Sequence, residues 1–290
     1  VWVDKDVFFV AEFNRPIKKV TTLPKLTEKE RGERRLLSFD MRPGDQLEVK
    51  IAISSATVEG AQRNLKAELP DWNFEATRQK AKDTWNSYFS RIQVEGTDEQ
   101  KANFYTSYYH ALIQPNNIAD VDGMYRNAKG ELAKAEGGTY YSTFSTWDTY
   151  RASHPFYTLV LPEMVDPFVR SMLLHHKALG YLPIWTLWGC ETECMIGVHS
   201  IPVIVDAYLK GLVPEIDKKQ TMELIDRSLS WEMGRRKEGA PLLRRFGYLP
   251  ADLVEHESVS RTLEIAYDDA CAARFAKAIG DREMELKYTK

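Results

Sequence analysis

The side chains best suited to chemistry crowd between Tyr140 and Gly211. Phe144-Ser145-Thr146-Trp147-Asp148-Thr149-Tyr150-Arg151 comes first, followed by His154-Pro155 and then Gly180-Tyr181-Leu182-Pro183-Ile184-Trp185. Gly189-Cys190-Glu191-Thr192-Glu193-Cys194-Met195-Ile196-Gly197 and His199 complete the series. Trp, Asp, Arg, Glu and His thus gather in connections between helical segments, where a rigid scaffold can hold binding groups. Such a set suits polyol recognition. A carboxylate accepts from adjacent hydroxyls, a guanidinium donates to them, and an indole packs on the apolar face of a sugar ring. Asp148 and Arg151 are three apart, so on a helical turn they fall on one side. That spacing serves a substrate-facing pair and a structural ion pair capping the next helix equally well.

Hydrolysis of a glycosidic bond usually needs two carboxyl groups flanking it, about 6.5–9.5 Å apart for inversion. Asp148, Glu191, Glu193, Asp268 and Asp269 are the local candidates, and spacing does not choose a pair among them. Asp120 and Asp122 resemble fragments of a calcium loop without the full EF-hand pattern, which makes a turn role the simpler expectation. The six histidines form no H-E-x-x-H arrangement, and there is no Gly-rich phosphate loop or G-x-S-x-G elbow. Metalloprotease, nucleotide-dependent and serine-hydrolase chemistry therefore lack their usual signals. Cys190, Cys194 and Cys271 are too few for a disulfide framework, and no paired C-x-x-C spacing suggests zinc, so free thiols are expected.

These groups must be positioned by a chain of 290 residues, 43% hydrophobic and 28% charged, an ordinary globular composition. A net charge of -3 gives no electrostatic footprint for nucleic acid. No apolar run approaches the roughly 20 residues that cross a bilayer. The opening Val1-Trp2-Val3-Asp4-Lys5 reads as mid-strand and lacks an initiator Met, so a missing leader says nothing about secretion. Val7–Val10 and the alternating Asp45–Ile53, preceded by Pro43-Gly44 turn chemistry, predict two or three strands, too few to bury a sandwich core alone. From Ser55 the period becomes helical. Helices are expected over Ala56–Leu69, around Phe74–Ile92, and through Phe104, Tyr105, Tyr108, Tyr109, Leu112 and Ile113, which form a broad aromatic face. Further helices should start at Pro162 and stop at Gly180, span about 200–210 and 217–231, and run from Ser258 to Ile279 with Gly280 as the stop. The apolar face of that last helix is expected to carry Val259, Leu263, Ala266, Ala270 and Ala273, and another helix begins at Asp281.

Several motifs in this order are similar to those of glycoside hydrolase family 92. They are Phe104–His110, Asp120–Tyr125, Tyr141–Arg151, His154-Pro155, Leu182–Trp185, Met195–Gly197 and Ser260–Asp269, with Ala61–Leu65 upstream. The resemblance covers the chain from about residue 50 onward. It implies a mainly α fold: part of an (α/α)6 barrel preceded by the end of an N-terminal β-sandwich and a helical linker. The expected boundaries are 1–55 for the sandwich portion, 56–95 for the linker and 96–290 for the first part of the catalytic barrel.

The activity implied is calcium-dependent hydrolysis of terminal α-mannosidic bonds in glycans, with inversion. Export of bacterial members implies the periplasm, the cell surface or the extracellular space. The family's acid, base and most calcium-binding groups belong to motifs after Thr262-Leu263-Glu264. The catalytic residues are therefore expected beyond Lys290, no metal ligand is carried over, and this segment alone is expected to be inactive. What transfers is a mannose-binding wall: Asp148, with Arg151, Trp185 and Glu191 nearby. Cys190 stands where the family pattern leads one to expect a polar residue, and Ala270 where it leads one to expect Trp. Two alternatives stay open: another inverting (α/α)6 glycosidase such as a glucosidase, and a non-catalytic glycan-binding protein. An intact pair of downstream acidic motifs would favour an enzyme.

Overall fold

A computed structural model describes residues 5–28, 32–230 and 239–289. Strand β1 (Phe8–Phe13) pairs antiparallel with β4 (Val49–Ser54), Phe8 opposite Ser54 and Phe13 opposite Val49. Between them β2 (Lys19–Leu23) and β3 (Arg34–Ser38) form a second antiparallel pair. The alternation expected from Asp45 becomes strand only at Val49. Asp45 is occupied earlier, closing a turn by accepting from the Arg42 N–H at 3.0 Å. Ala52 and Ser54 face inward against the first helix, while Ile51 and Ile53 point outward, as period-two patterning requires. The mid-strand reading of Val1–Asp4 lies outside the described residues.

Helices account for most of the remainder, so the fold is mainly α. They are α1 (Val58–Glu68), α2 (Phe74–Phe89), α3 (Asp98–Leu112), α4 (Thr146–Thr149), α5 (Ser153–Val160) and α6 (Pro162–Leu179). After a loop come α7 (Ser200–Leu209), α8 (Lys218–Ser230), α9 (Gly239–Phe246), α10 (Ser258–Ile279) and α11 (Arg282–Thr289). Trp231, expected at the end of α8, lies outside the described residues. The starts have recognisable chemistry. Thr57 accepts from the Gly60 N–H at α1, Thr97 and Gln100 form a capping box at α3, and Pro162 opens α6, which ends at Gly180 with φ 86°.

The aromatic face of α3 packs on α2. The Trp85 ring lies 4.7 Å from Tyr109, and Phe89 lies 6.0 Å from Tyr105 and 5.8 Å from Tyr108. Farther along, Val169 and Met172 of α6, Ile201 and Ile204 of α7, Ile225 of α8 and Phe275 of α10 form one core. The orientation of α10 corrects the pattern reading. Val259 and Leu263 are 69% and 66% exposed, and the buried face instead carries Ile265, Asp268, Cys271, Ala272 and Phe275. A buried aspartate disguises that face in the sequence. Its desolvation is offset by partners from the loop before α7.

Candidate active site

The turn α4 sits where two loop segments are tied together. Ser145 and Trp185 form an antiparallel bridge. The Thr186 hydroxyl oxygen accepts from the Phe144 N–H at 3.1 Å, and the buried Thr146 hydroxyl donates to the Ile184 carbonyl at 2.7 Å. Four residues with no side-chain cap cannot hold a helical turn by themselves, so these flanking bonds fix its start. Thr143, Trp188 and Glu193 hold left-handed backbone nearby (φ 66°, 49° and 50°), the kind of local strain a surrounding structure must enforce.

Two networks meet on this turn. On one side the Trp185 indole N–H donates to Ser145 Oγ at 2.7 Å, and the Ser145 hydroxyl donates to Asp148 Oδ2. Asp148 is exposed, and its Oδ1 has no hydrogen-bond partner among the described residues. On the other side Arg151 turns away from Asp148. Its guanidinium lies 3.2 Å from Glu264 Oε1 and stacks over the rings of Trp147 and Tyr150 at 4.7 and 4.8 Å. The Trp147 indole N–H donates to the same Glu264 oxygen at 3.1 Å. Of the two roles open to the Asp148/Arg151 spacing, an ion pair between them is therefore not formed. Each residue is held by a separate network.

Glu264 is itself backed by buried groups. Its Oε2 lies 2.7 Å from His199 Nε2, an ion-pair distance when the imidazole is protonated, though out of line for a hydrogen bond. His199 Nδ1 lies 2.8 Å from Asp268 Oδ1, and Asp268 Oδ2 accepts from the Val198 N–H at 2.6 Å. Burial pushes the Asp268 carboxyl up, while His199 and the Val198 N–H pull only part of the way back. Asp268 is fully buried and cannot reach a glycosidic oxygen. Asp269 is raised to about 7 by burial and by Asp268 beside it, with Lys287 opposing. His154, buried among Phe144, Tyr157 and Phe168, is pushed down to about 4 by burial and is therefore neutral at pH 7.

Glu191 lies behind the wall. Its side chain is 3% exposed. The Oε2 atom accepts from the Ile184 N–H at 2.8 Å, and Oε1 from the N–H groups of Trp185 and Glu193 at 2.9 and 2.8 Å. His175 Nε2 stands 3.5 Å from Oε2. Burial raises the Glu191 carboxyl, but His175 and the backbone donors outweigh it and hold the group below its ordinary range. Its lone pairs are directed at the loop that carries Trp185, so it shapes that loop from inside.

The aspartates of the 120–122 segment take turn and tether roles. Asp120 is buried and accepts from Ser54 Oγ and Asn64 Nδ2 at 2.7 and 2.8 Å, while Asp122 pairs with Arg63 at 2.9 Å. Cys190 and Cys271 are buried, Cys194 is exposed, and all three are free thiols. Among the described residues, no three His, Cys, Asp or Glu side chains converge to hold an ion. No helix among them is long and apolar enough to cross a membrane.

The glycosyl hydrolase family 92 catalytic domain model matches residues 60–290. The chain belongs to glycosyl hydrolase family 92. A family 92 α-mannosidase from Bacteroides thetaiotaomicron is 34% identical over 97% of this chain, with a TM-score of 0.87, and the chain spans 39% of that protein. The same α-mannosidase in complex with mannoimidazole matches with the same TM-score of 0.87. A family 92 inverting mannosidase from strain VPI-5482 of that organism is 28% identical over 97% of this chain, with a TM-score of 0.86, and 40% of its length is covered. A secreted glycosidase of Arthroderma benhamiae, uncharacterized, is 21% identical over 263 residues, which are 84% of this chain and 29% of that protein. The family 92 catalytic domain is an (α/α) barrel, and this chain carries part of one.

Within this family 92 chain, sequence reasoning picked out Asp148, Arg151, Trp185 and Glu191 but not the Glu264–His199 link. Glu264 lies in the matched Ser260–Asp269 stretch and His199 among the loop residues. Nothing in their spacing announces that the fold brings them together.

Proposed function

We propose that the full-length protein is an exo-acting α-mannosidase that inverts configuration at the sugar, and that α4 with Trp185 forms one wall of its mannose subsite. The observation that carries this reading is Asp148 Oδ1. It is an exposed carboxylate oxygen with no hydrogen-bond partner among the described residues, on a turn fixed from both sides and flanked by the Trp147 and Trp185 indoles. A sugar hydroxyl can donate to that oxygen while an indole covers the ring face. Arg151, steadied over Trp147 and Tyr150, retains donors toward solvent for a further hydroxyl. Glu191 enters the proposal as the support of Trp185 rather than as a direct contact.

Calcium belongs to the proposal through the family likeness. Through the same likeness, the proposal places its ligands, and the general acid and base, in the family motifs that follow the Thr262-Leu263-Glu264 stretch, this chain spanning 39% of its α-mannosidase relative. Mannose-containing glycans are the proposed partners. The periplasm, cell surface or extracellular space is the proposed location, in keeping with the distant relative described as secreted.

Asp148→Ala in the full-length enzyme is expected to lower kcat/KM on an α-mannoside about 100-fold, equivalent to ~3 kcal/mol of hydrogen bonding to a charged acceptor, with melting temperature unchanged. A loss of several degrees with normal turnover would make Asp148 structural. Chelation is expected to abolish turnover and added calcium to restore it, and proton NMR of early product should show the β-anomer. The α-anomer appearing first would rule out single displacement. Turnover of α-glucosides in place of α-mannosides, or sugar binding with no turnover, would replace this reading with one of its two alternatives.

A further inference from the structure

Glu264 is joined to α4 from one side and to a buried histidine from the other, and its side chain is only 18% exposed. Its Oε1 accepts from both Trp147 and Arg151, the residues on either side of Asp148 and Tyr150 in the turn. Its Oε2 faces His199, whose ring is wedged in place. Tyr150 stacks on that ring at 4.2 Å and 28°, Asp268 holds Nδ1, and a Cβ at Gly197 would lie 2.7 Å from Nε2. Gly197 also has φ 70°, a backbone that favours glycine. Glu264 and Asp268 are four apart on α10, hence on one helix face, and His199 bridges the two carboxylates. The long helix thus carries a fixed acceptor whose position is set by a buried Asp–His pair. The short, uncapped turn in front has little orientation of its own.

We infer that Glu264 is a positioning residue for the sugar wall: anchored through His199 and Asp268, its carboxylate gathers the Trp147 indole and the Arg151 guanidinium, and so sets the direction in which α4 presents Asp148. This inference rests on reading α4 as part of the mannose subsite. The geometry accounts for a carboxylate that accepts two donors from one turn while standing back from the open face. It also explains why a His, an Asp and a positive-φ glycine are committed behind a turn of four residues.

The test is a set of variants of the full-length enzyme assayed on an α-mannoside, with melting temperature recorded for each. Glu264→Ala is expected to lower kcat/KM about 30-fold, since misplacing a binding group by about an ångström has effects of that size. Glu264→Gln keeps an acceptor oxygen for Trp147 and Arg151 and is expected to stay within about 3-fold of wild type. Glu264→Asp, which withdraws the acceptor by one methylene, is expected to fall about 10-fold. Because Glu264 is inferred to act chiefly through Asp148, the double variant Glu264→Ala/Asp148→Ala should fall by clearly less than the product of the two single losses.

Multiplied effects in the double variant would overturn the inference. So would Gln and Asp replacements that are equally impaired. If Glu264→Ala does not fold, the Gln-against-Asp contrast decides the matter alone. A normal Asp148→Ala enzyme would overturn the reading of the subsite, whereas a normal Glu264→Ala enzyme beside an impaired Asp148→Ala enzyme would overturn only the positioning role.

Discussion

Gly60→Ala is expected to be among the most damaging single substitutions in the chain. Gly60 lies in the first turn of α1, its N–H bound by Thr57 Oγ1 at 2.9 Å. A Cβ there would stand 2.1 Å from Asp120 Oδ2 and 2.7 Å from Ser54 Oγ. Neither neighbour can swing aside cheaply. Ser54 Oγ accepts from the N–H groups of Ala56 and Thr57 at 2.9 and 3.1 Å while donating to Asp120, and the other oxygen of Asp120 accepts from Asn64. Adding one methyl group therefore pushes a buried carboxylate out of its bonds, at a cost of ~3 kcal/mol or more from overpacking and lost hydrogen bonds together. Helix propensity would favour alanine by about 1 kcal/mol, so the sign of the measured change separates the two effects.

Thermal or denaturant unfolding of the full-length protein checks this expectation. Asp120→Gly should itself destabilise, but in that background Gly60→Ala should lose most of its cost, giving a large coupling between the two positions. Additive effects would mean that the crowding at Gly60 is relieved by backbone movement.

How much of this was legible in the sequence follows from which forces leave a pattern. Helix ends did: Pro162, Gly180 and Gly280 act through local backbone geometry, so α6 starts at Pro162 and stops at Gly180, and α10 stops at Gly280. The aromatic face of α3 did as well, because area burial follows residue type. The inward face of α10 did not. Apolar spacing pointed to Val259 and Leu263, but a buried Asp268 satisfied by His199 and Val198 lies on the face that packs. Periodicity scores a charge as solvent-facing and cannot see a partner from another element. The site shows the same division. Asp148 and Trp185 are singled out by residue type and order, and the fold links them through Ser145. Spacing alone left the role of Arg151 divided between substrate and structure, and the partner that fixes it, Glu264, comes from a distant helix. Glu193 and Glu191 look alike in sequence, yet only the fold shows three backbone N–H groups converging on Glu191.

That convergence makes Glu191 the second position where a large effect is expected. Glu191→Ala would strip the acceptor from the N–H groups of Ile184, Trp185 and Glu193 and leave the buried His175 without the carboxylate beside it. At about 1–3 kcal/mol for each buried donor left unmade, the loss is on the order of 5 kcal/mol, comparable with the net stability of a domain. Because the Trp185 backbone is one of the three donors and its indole steadies Ser145 and so Asp148, turnover should fall together with stability. Glu191→Gln separates charge from shape. Its amide offers one acceptor oxygen where the loop requires two, so it is destabilising as well.

The charge contribution has a defined pH sign. The folded Glu191 carboxyl lies below its ordinary value of 4.5, so the ionised group adds stability that is fully present above about pH 4.5 and is lost as pH falls through the lower folded value. The gap in unfolding free energy between wild type and Glu191→Gln should therefore narrow as pH falls below about 4.5. A gap that widens on acidification would mean that Glu191 is protonated in the folded protein, and that the loop carrying Trp185 is held by a neutral carboxyl rather than by a buried charge.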